Sequence, residues 1–213
     1  MICYDYINEY IRKTIKRTDG VLADMEVYAK ENHVPIIHPE VERFISVIGK
    51  MKNPKYILEV GTAIGYSAMV MSKFLQEDGR IDTIERNEKI IDIARKNVEE
   101  ANLKEKINII QGDAKDVLKT LDTKYDIVFI DAAKGHYLDF LQNIKKNLNK
   151  NAIIISDNVL YKGMVANDDL VIRRKKTIVK RLREYLDCIC NNELLDTTII
   201  PIGDGVAVSY VKN

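Results

Sequence analysis

From Tyr56 onward, short apolar runs rich in β-branched residues alternate with segments whose apolar positions recur every three or four residues. The runs fall at Tyr56–Val60, 80–84, Ile107–Gln111, Tyr125–Ile130 and 152–156, and the helical periodicity falls at about 67–75, 88–101, 115–121, 137–147 and 173–190. Strands alternating with helices long enough to cross over build a parallel sheet. Ile127-Val128-Phe129-Ile130 and Ile153-Ile154-Ile155 are apolar on consecutive positions, as in strands covered on both faces. The rhythm then breaks. Runs at 197–201 and 206–212 are separated only by Ile202-Gly203-Asp204-Gly205, which suits a hairpin and predicts a closing antiparallel strand. Before Tyr56, amphipathic patterns at about 2–16, 21–32 and 39–50 predict helices packed over one edge of the sheet.

The expectation is an α/β, Rossmann-like chain of one domain over residues 1–213, with residues 1–50 as a helical N-terminal extension. Its sheet has seven strands, mostly parallel. At 213 residues, 46% hydrophobic and 31% charged, the composition is that of a globular protein. No run approaches the roughly 20 apolar residues of a membrane helix, and the first residues lack the order of a signal peptide, so a cytoplasmic location without a membrane partner is expected. Cys3, Cys188 and Cys190 have neither zinc-site nor disulfide-framework spacing and are read as reduced thiols. The net charge of +1 implies no nucleic-acid partner by itself, and nothing points to DNA.

Chemistry gathers at the predicted strand ends. Ile57-Leu58-Glu59-Val60-Gly61-Thr62-Ala63-Ile64-Gly65-Tyr66-Ser67 puts a glycine-containing loop between strand and helix, where open α/β sheets bind nucleotides. On its own the spacing also suits a tight turn, and dinucleotide binding is the rival, though no third glycine follows. Glu85 ends the second strand, placed to accept from ribose hydroxyls as it would also be in an NAD enzyme. Asp113 follows the third, either to accept from an adenine amino group or to cap the next helix.

With these residues the chain resembles the class I S-adenosylmethionine methyltransferases, and within them the metal-dependent catechol O-methyltransferase type. The resemblance covers nearly the whole chain; Gly61-Thr62-Ala63-Ile64-Gly65-Tyr66-Ser67 is its most specific motif. It implies that Glu59, Gly61, Ser67 and Asp131 belong to the cofactor site, with Gly61 and Ser67 at the methionine end. It further implies that Glu85 holds the ribose, that Asp113 and Ala114 border the adenine, and that Ile37 closes over the cofactor.

The fourth strand runs into Asp131-Ala132-Ala133-Lys134-Gly135-His136, the fifth into Asp157-Asn158. In a parallel sheet these ends share an edge, so Asp131, Asp157 and Asn158 can converge as a hard oxygen set for Mg²⁺, or for Mn²⁺ or Ca²⁺. Singly, each also reads as an ordinary cap or turn residue. The family's ligands stand at matching places, and its general base matches Lys134, with Asp131 beside it; His136 is read as structural or substrate-facing.

Between Leu170 and Arg183 there are seven basic residues and no acidic one. Such a run is either a solvated helix face or a phosphate grip. Asp157-Asn158-Val159-Leu160 together with Arg173, Arg174, Lys175 and Lys176 resembles the bacterial branch that methylates 5-hydroxyuridine at the tRNA wobble position to 5-methoxyuridine. The resemblance therefore implies tRNA as substrate, gripped by those four residues, and a homodimer. The alternative is a small catechol-like or caffeoyl-type phenol. A nucleotide-binding oxidoreductase and a non-catalytic RNA-binding module remain as readings from other classes.

Overall fold

The computed structural model describes residues 2–16 and 18–212; Met1, Arg17 and Asn213, inside the expected domain, lie outside the described residues. Three helices, α1 (Asp5–Thr14), α2 (Val21–Glu31) and α3 (Pro39–Lys52), precede β1 (Tyr56–Val60), α4 (Tyr66–Ser72), β2 (Arg80–Glu85), α5 (Glu88–Glu100) and β3 (Ile107–Gln111). Then come α6 (Ala114–Thr120), β4 (Tyr125–Ile130), α7 (Tyr137–Ile144), β5 (Leu148–Ser156), α8 (Lys176–Cys190), β6 (Leu195–Ile200) and β7 (Val206–Val211).

One seven-stranded sheet runs in the order β3-β2-β1-β4-β5-β7-β6. β1 to β5 are parallel, and β7 is antiparallel to both β5 and β6. The closing antiparallel strand is therefore present, but it inserts between β5 and β6, leaving β6 at the edge. The consecutive apolar positions divide between two cores. Ile57, Ile127 and Phe129 pack on one face with residues of α2, α3, α4 and α5. Leu58, Val128 and Ile130 pack on the other with α6, α7 and α8. Alternate side chains of a strand point to opposite faces, so a strand covered twice must be apolar throughout.

Several boundaries move. β5 begins at Leu148, four residues before the apolar run, because Asn149-Lys150-Asn151 joins the strand with polar side chains. Asn149 donates to Asp126 Oδ1 (2.8 Å), and a register shift follows Tyr125. The expected 173–190 helix opens as a 3₁₀ turn at Arg173–Lys175 before α8. The N-terminal expectation needs correction. α2 and α3 lie on a sheet face, contributing Leu22, Met25, Val41 and Ile45 to its core, whereas α1 buries no residue. It is held to α3 by Arg12, which donates to both oxygens of the buried Glu40 (2.9 and 2.8 Å). Among the described residues no helix is long and apolar enough to cross a membrane, and all three cysteines are free.

Gly49 is where α3 crosses closest to the turn after α4: a Cβ there would lie 2.2 Å from the Phe74 ring. Gly49→Ala would gain about 1 kcal/mol of helix propensity. Displacing a buried ring costs about 1–3 kcal/mol or more, and the overlap is too deep for the gain to prevail. Urea unfolding is expected to show net destabilisation.

Candidate active site

The strand order reverses between β1 and β4, and the loops after these strands diverge to opposite faces, opening a crevice at the sheet's carboxyl edge. A cavity of ≈ 770 Å³ occupies it. Gly61, Ser67, Glu85, Asp113, Ala114, Asp131, Lys134, Asp157, Asn158 and Ile37 all line it. Ile37 comes from the connection between α2 and α3, which covers the cavity with Pro35, Ile36 and His38.

The β1 loop is shaped by closeness. Gly61 has φ +110°, and a Cβ on it would fall 2.2 Å from the carbonyl oxygen of Asp131, so only glycine fits where the two loops meet. Gly61 and Thr62 donate their amides to Ile84 O, and Asp131 donates its amide to Val60 O (2.9 Å), lacing the three strand ends together. Glu85 is fixed before any ligand arrives. Its Oε1 accepts from the amides of Arg86 (2.9 Å) and Asn87 (3.0 Å), and its Oε2 accepts from Ala63 N (3.2 Å), leaving Oε2 an open acceptor position. Asp113 caps α6 by accepting from Lys115 N (3.0 Å), and it lines the cavity.

Glu59 requires correction. It is fully buried beneath the loop and is absent from the cavity wall. Its side chain points to the face opposite Leu58 and Val60, where Thr83 donates to its Oε2 (2.5 Å). The Thr83 hydroxyl also lies 2.6 Å from that of Thr62, so the three side chains form one hydrogen-bonded chain. Glu59 Oε1 has no hydrogen-bond partner among the described residues. Burial pushes its carboxyl up to about 8, against the pull of the Ser67 and Thr83 hydroxyls. A protonated acid is the form this position tolerates.

At the other end of the cavity, Asp157 is buried and faces Asp131; burial first, and then that second carboxylate, hold its pKa well above the ordinary carboxylate range. Lys134 donates from Nζ to Asp131 Oδ1 (2.8 Å). Asn158 adopts φ +57°, its amide donating to Asp157 Oδ1 (2.7 Å), while Tyr137 Oη donates to the Asp157 carbonyl (2.8 Å). Among the described residues no group of three or more His, Cys, Asp or Glu is placed to hold a metal. Two carboxylates and an amide oxygen fall outside that definition and still suit a hard divalent ion that keeps waters and substrate in its remaining positions. Two acidic groups turned toward one another in a partly dry site call for a cation, so the donor set fits.

His136 lines the cavity, and its Nδ1 lies 2.9 Å from Asp139 Oδ2, so that nitrogen is engaged on its own helix. Arg173, Arg174, Lys175 and Lys176 are outside the cavity, and Lys175 lies over the Tyr161 ring. Sequence reasoning overlooked Pro35, Ile36, His38, Tyr66 and Phe140 on the wall. Tyr66 carried a usable signal, since it stands inside the loop motif; the others arrive through tertiary packing alone.

A parallel sheet reversing at β1/β4, with its final strand antiparallel and its cavity at that switch point, is the Rossmann-like methyltransferase fold. Residues 4–212 match the O-methyltransferase family, and the chain belongs to it. The catechol O-methyltransferase of Niastella koreensis is 28% identical over 98% of both chains. A candidate caffeoyl-CoA O-methyltransferase structure from Staphylococcus aureus superposes with TM-score 0.90 at 32% identity, over 97% of this chain and all of the other. The O-methyltransferase of Bacillus cereus, in complex with SAH, gives TM-score 0.87 at 26% identity with both chains fully covered. The protein is thus an S-adenosylmethionine-dependent O-methyltransferase.

Two outcomes follow from this geometry. Glu85→Ala is expected to weaken S-adenosylmethionine by roughly 1–3 kcal/mol, the scale of a hydrogen bond to a charged group, read by calorimetry. For Glu59, the folded pKa stands above the unfolded one, so the native state keeps a proton that the unfolded chain releases. Its contribution is fully present below the unfolded value and is lost as pH rises toward about 8. Glu59→Gln, which resembles the protonated acid, should flatten that decline between acidic pH and pH 8 in urea titrations.

Proposed function

We propose that this enzyme methylates a phenolic hydroxyl of a catechol-like or caffeoyl-type acceptor, with a divalent cation, preferably Mg²⁺, held by Asp131, Asp157 and Asn158. The observation that carries the reading is one cavity with the Glu85 and Asp113 acceptors at one end and the Asp131, Lys134, Asp157 and Asn158 cluster at the other. Relatives named for catechol and caffeoyl-CoA methylation support this class of acceptor.

In this reading Gly61, Ser67, Glu85, Asp113, Ala114 and Ile37 bind the cofactor so that its methyl group faces the acidic cluster. A bound divalent ion supplies positive charge that makes a neighbouring hydroxyl easier to deprotonate. Lys134 Nζ, positioned by Asp131, takes the acceptor's proton when the amine is neutral. The acceptor oxygen then attacks the methyl carbon in line as the sulfur–methyl bond breaks, converting the sulfonium to a thioether. Alignment in a covered cavity supplies much of the rate.

A second reading, 5-hydroxyuridine of tRNA, is favoured by the basic rim. Of the seven cations between 173 and 183, Arg181 donates to Gly135 O, and Arg183 donates to Val165 O and Met164 O and pairs with Asp168. Among the described residues Arg173, Arg174, Lys175 and Lys176 make no such ion pair, and Lys175 stands beside the loop that carries Asn158 and Tyr161.

The test offers the purified enzyme catechol, caffeoyl-CoA and tRNA carrying 5-hydroxyuridine in parallel, with S-adenosylmethionine and Mg²⁺. Methylation of the uncharged catechol that is unaffected by alanine at Arg173, Arg174, Lys175 and Lys176 is expected. Transfer to tRNA alone, with a salt slope reduced by about 0.7–0.9 per lost phosphate contact in that variant, would establish the second reading instead. In either case Asp157→Ala should lower turnover by more than the roughly 10–100-fold typical of losing a mere outer partner of a ligand.

A further inference from the structure

The segment after the proposed metal ligands is unusual in its backbone. Asn158, Tyr161 and Lys162 have φ of +57°, +46° and +58°, and Gly163 has +80°. Only one of these four is glycine, so the left-handed path is imposed on the segment by its surroundings. The turn between β6 and β7 does the imposing. Val159 donates its amide to Gly205 O (2.9 Å), Leu160 donates to Asp204 O (3.1 Å), and Lys162 donates to the Asp204 side chain at Oδ1 (2.5 Å). The first two contacts use backbone carbonyls and no side chain. The third belongs to Asp204.

The seam has no slack. Gly205 is buried at φ +85°, and a Cβ on it would lie 2.4 to 2.8 Å from Leu160. On its other side the turn abuts His38 and Val41 of the layer that covers the cavity, the two residues nearest a Cβ on Gly203. Asp204 itself is half-buried, with the cations of Lys134 and Lys162 and the His38 ring facing it, and Asp157 nearby. Its carboxylate therefore sits where the ligand loop, the proposed base and the cover meet.

We infer that Asp204 is a positioning residue: by holding the Lys162 amide, it fixes the left-handed 158–163 segment and thereby aims the Asn158 side chain at the divalent-ion site. This rests on the metal reading proposed above. Asp204 reaches the ion only through Lys162 and the loop, so its role requires an acceptor oxygen at Oδ1 and not a negative charge. Asp204→Asn retains that oxygen and loses the charge; Asp204→Ala loses both.

The experiment measures Mn²⁺ binding to the full chain by the electron paramagnetic resonance of the free ion, with hydrogen exchange over residues 158–163 and SAH affinity by calorimetry. Asp204→Ala is expected to weaken Mn²⁺ about 10–100-fold, the range for losing a partner that orients a ligand. It should also speed exchange across the segment and leave SAH affinity unchanged. Asp204→Asn should stay close to the wild type in all three. Gly205→Ala, which forces Leu160 away from the same seam, should loosen the loop and weaken Mn²⁺ with Asp204 intact, which supplies the test if Asp204→Ala does not fold. Wild-type Mn²⁺ affinity in Asp204→Ala, or a loss in Asp204→Asn as large as in Asp204→Ala, would overturn the inference while leaving the metal site standing. A wild-type protein that binds no Mn²⁺ removes the metal reading and this inference together.

Discussion

The structure turns on the contact between Gly61 and the Asp131 carbonyl. β1 and β4 are neighbours in the sheet, yet their following segments leave toward opposite faces. Where they part, the backbones approach so closely that a Cβ on Gly61 would penetrate the Asp131 carbonyl. That closeness carries the cofactor loop and the start of the acidic cluster on one rigid junction. The relative position of the two loops is then set by strand register, Val60 opposite Ile130. Methyl transfer depends on in-line alignment, so a rigid junction at this point matters more than any single contact along the cavity.

Much of this arrangement was legible in the chain. Strand ends carrying Gly61, Glu85, Asp113, Asp131 and Asp157 were readable because apolar runs stop abruptly at polar residues, and parallel pairing brings all such stops to one edge. What escaped had physical reasons. Leu148-Asn149-Lys150-Asn151 hides a strand because its polar side chains find partners such as Asp126 across the sheet, a pattern that hydrophobic periodicity does not register. α1 reads as amphipathic although Tyr4, Tyr6 and Tyr10 are all exposed. Periodicity reports a stripe and is silent on whether anything covers it.

Glu59 and Asp204 are opposite failures of sequence reading. Glu59 stands inside the cofactor motif and invites a ligand role, yet strand alternation turns it away from the cavity into a hydroxyl chain. Asp204 stands in Gly203-Asp204-Gly205, a turn by every local signal, yet β7 is inserted beside β5 and lifts that turn against the ligand loop. Side-chain parity decides the first case and strand order the second. Parity follows from the sequence once the strand is placed. Strand order was open, because a terminal hairpin can join a sheet by either of its strands.

The basic run at 173–176 suits more than one class of acceptor. A caffeoyl-CoA acceptor and a tRNA acceptor both approach as phosphate-bearing anions, so Arg173, Arg174, Lys175 and Lys176 attract either one. The reacting groups also resemble one another: a catechol hydroxyl and the 5-hydroxyl of uridine are both attached to an unsaturated ring. The reacting groups therefore cannot discriminate between them, and neither can the net charge of the rim. Discrimination falls to the wall, where Ile36, His38 and Phe140 line the cavity with Lys134, and to the segment after Asn158, where Tyr161 lies under Lys175. A flat phenol needs an apolar slot there, whereas a nucleotide within RNA needs room for a flipped base and its ribose. The left-handed 158–163 segment carries Tyr161 as well as Asn158, so the backbone that aims the proposed ligand also places the aromatic ring beneath the rim's cation.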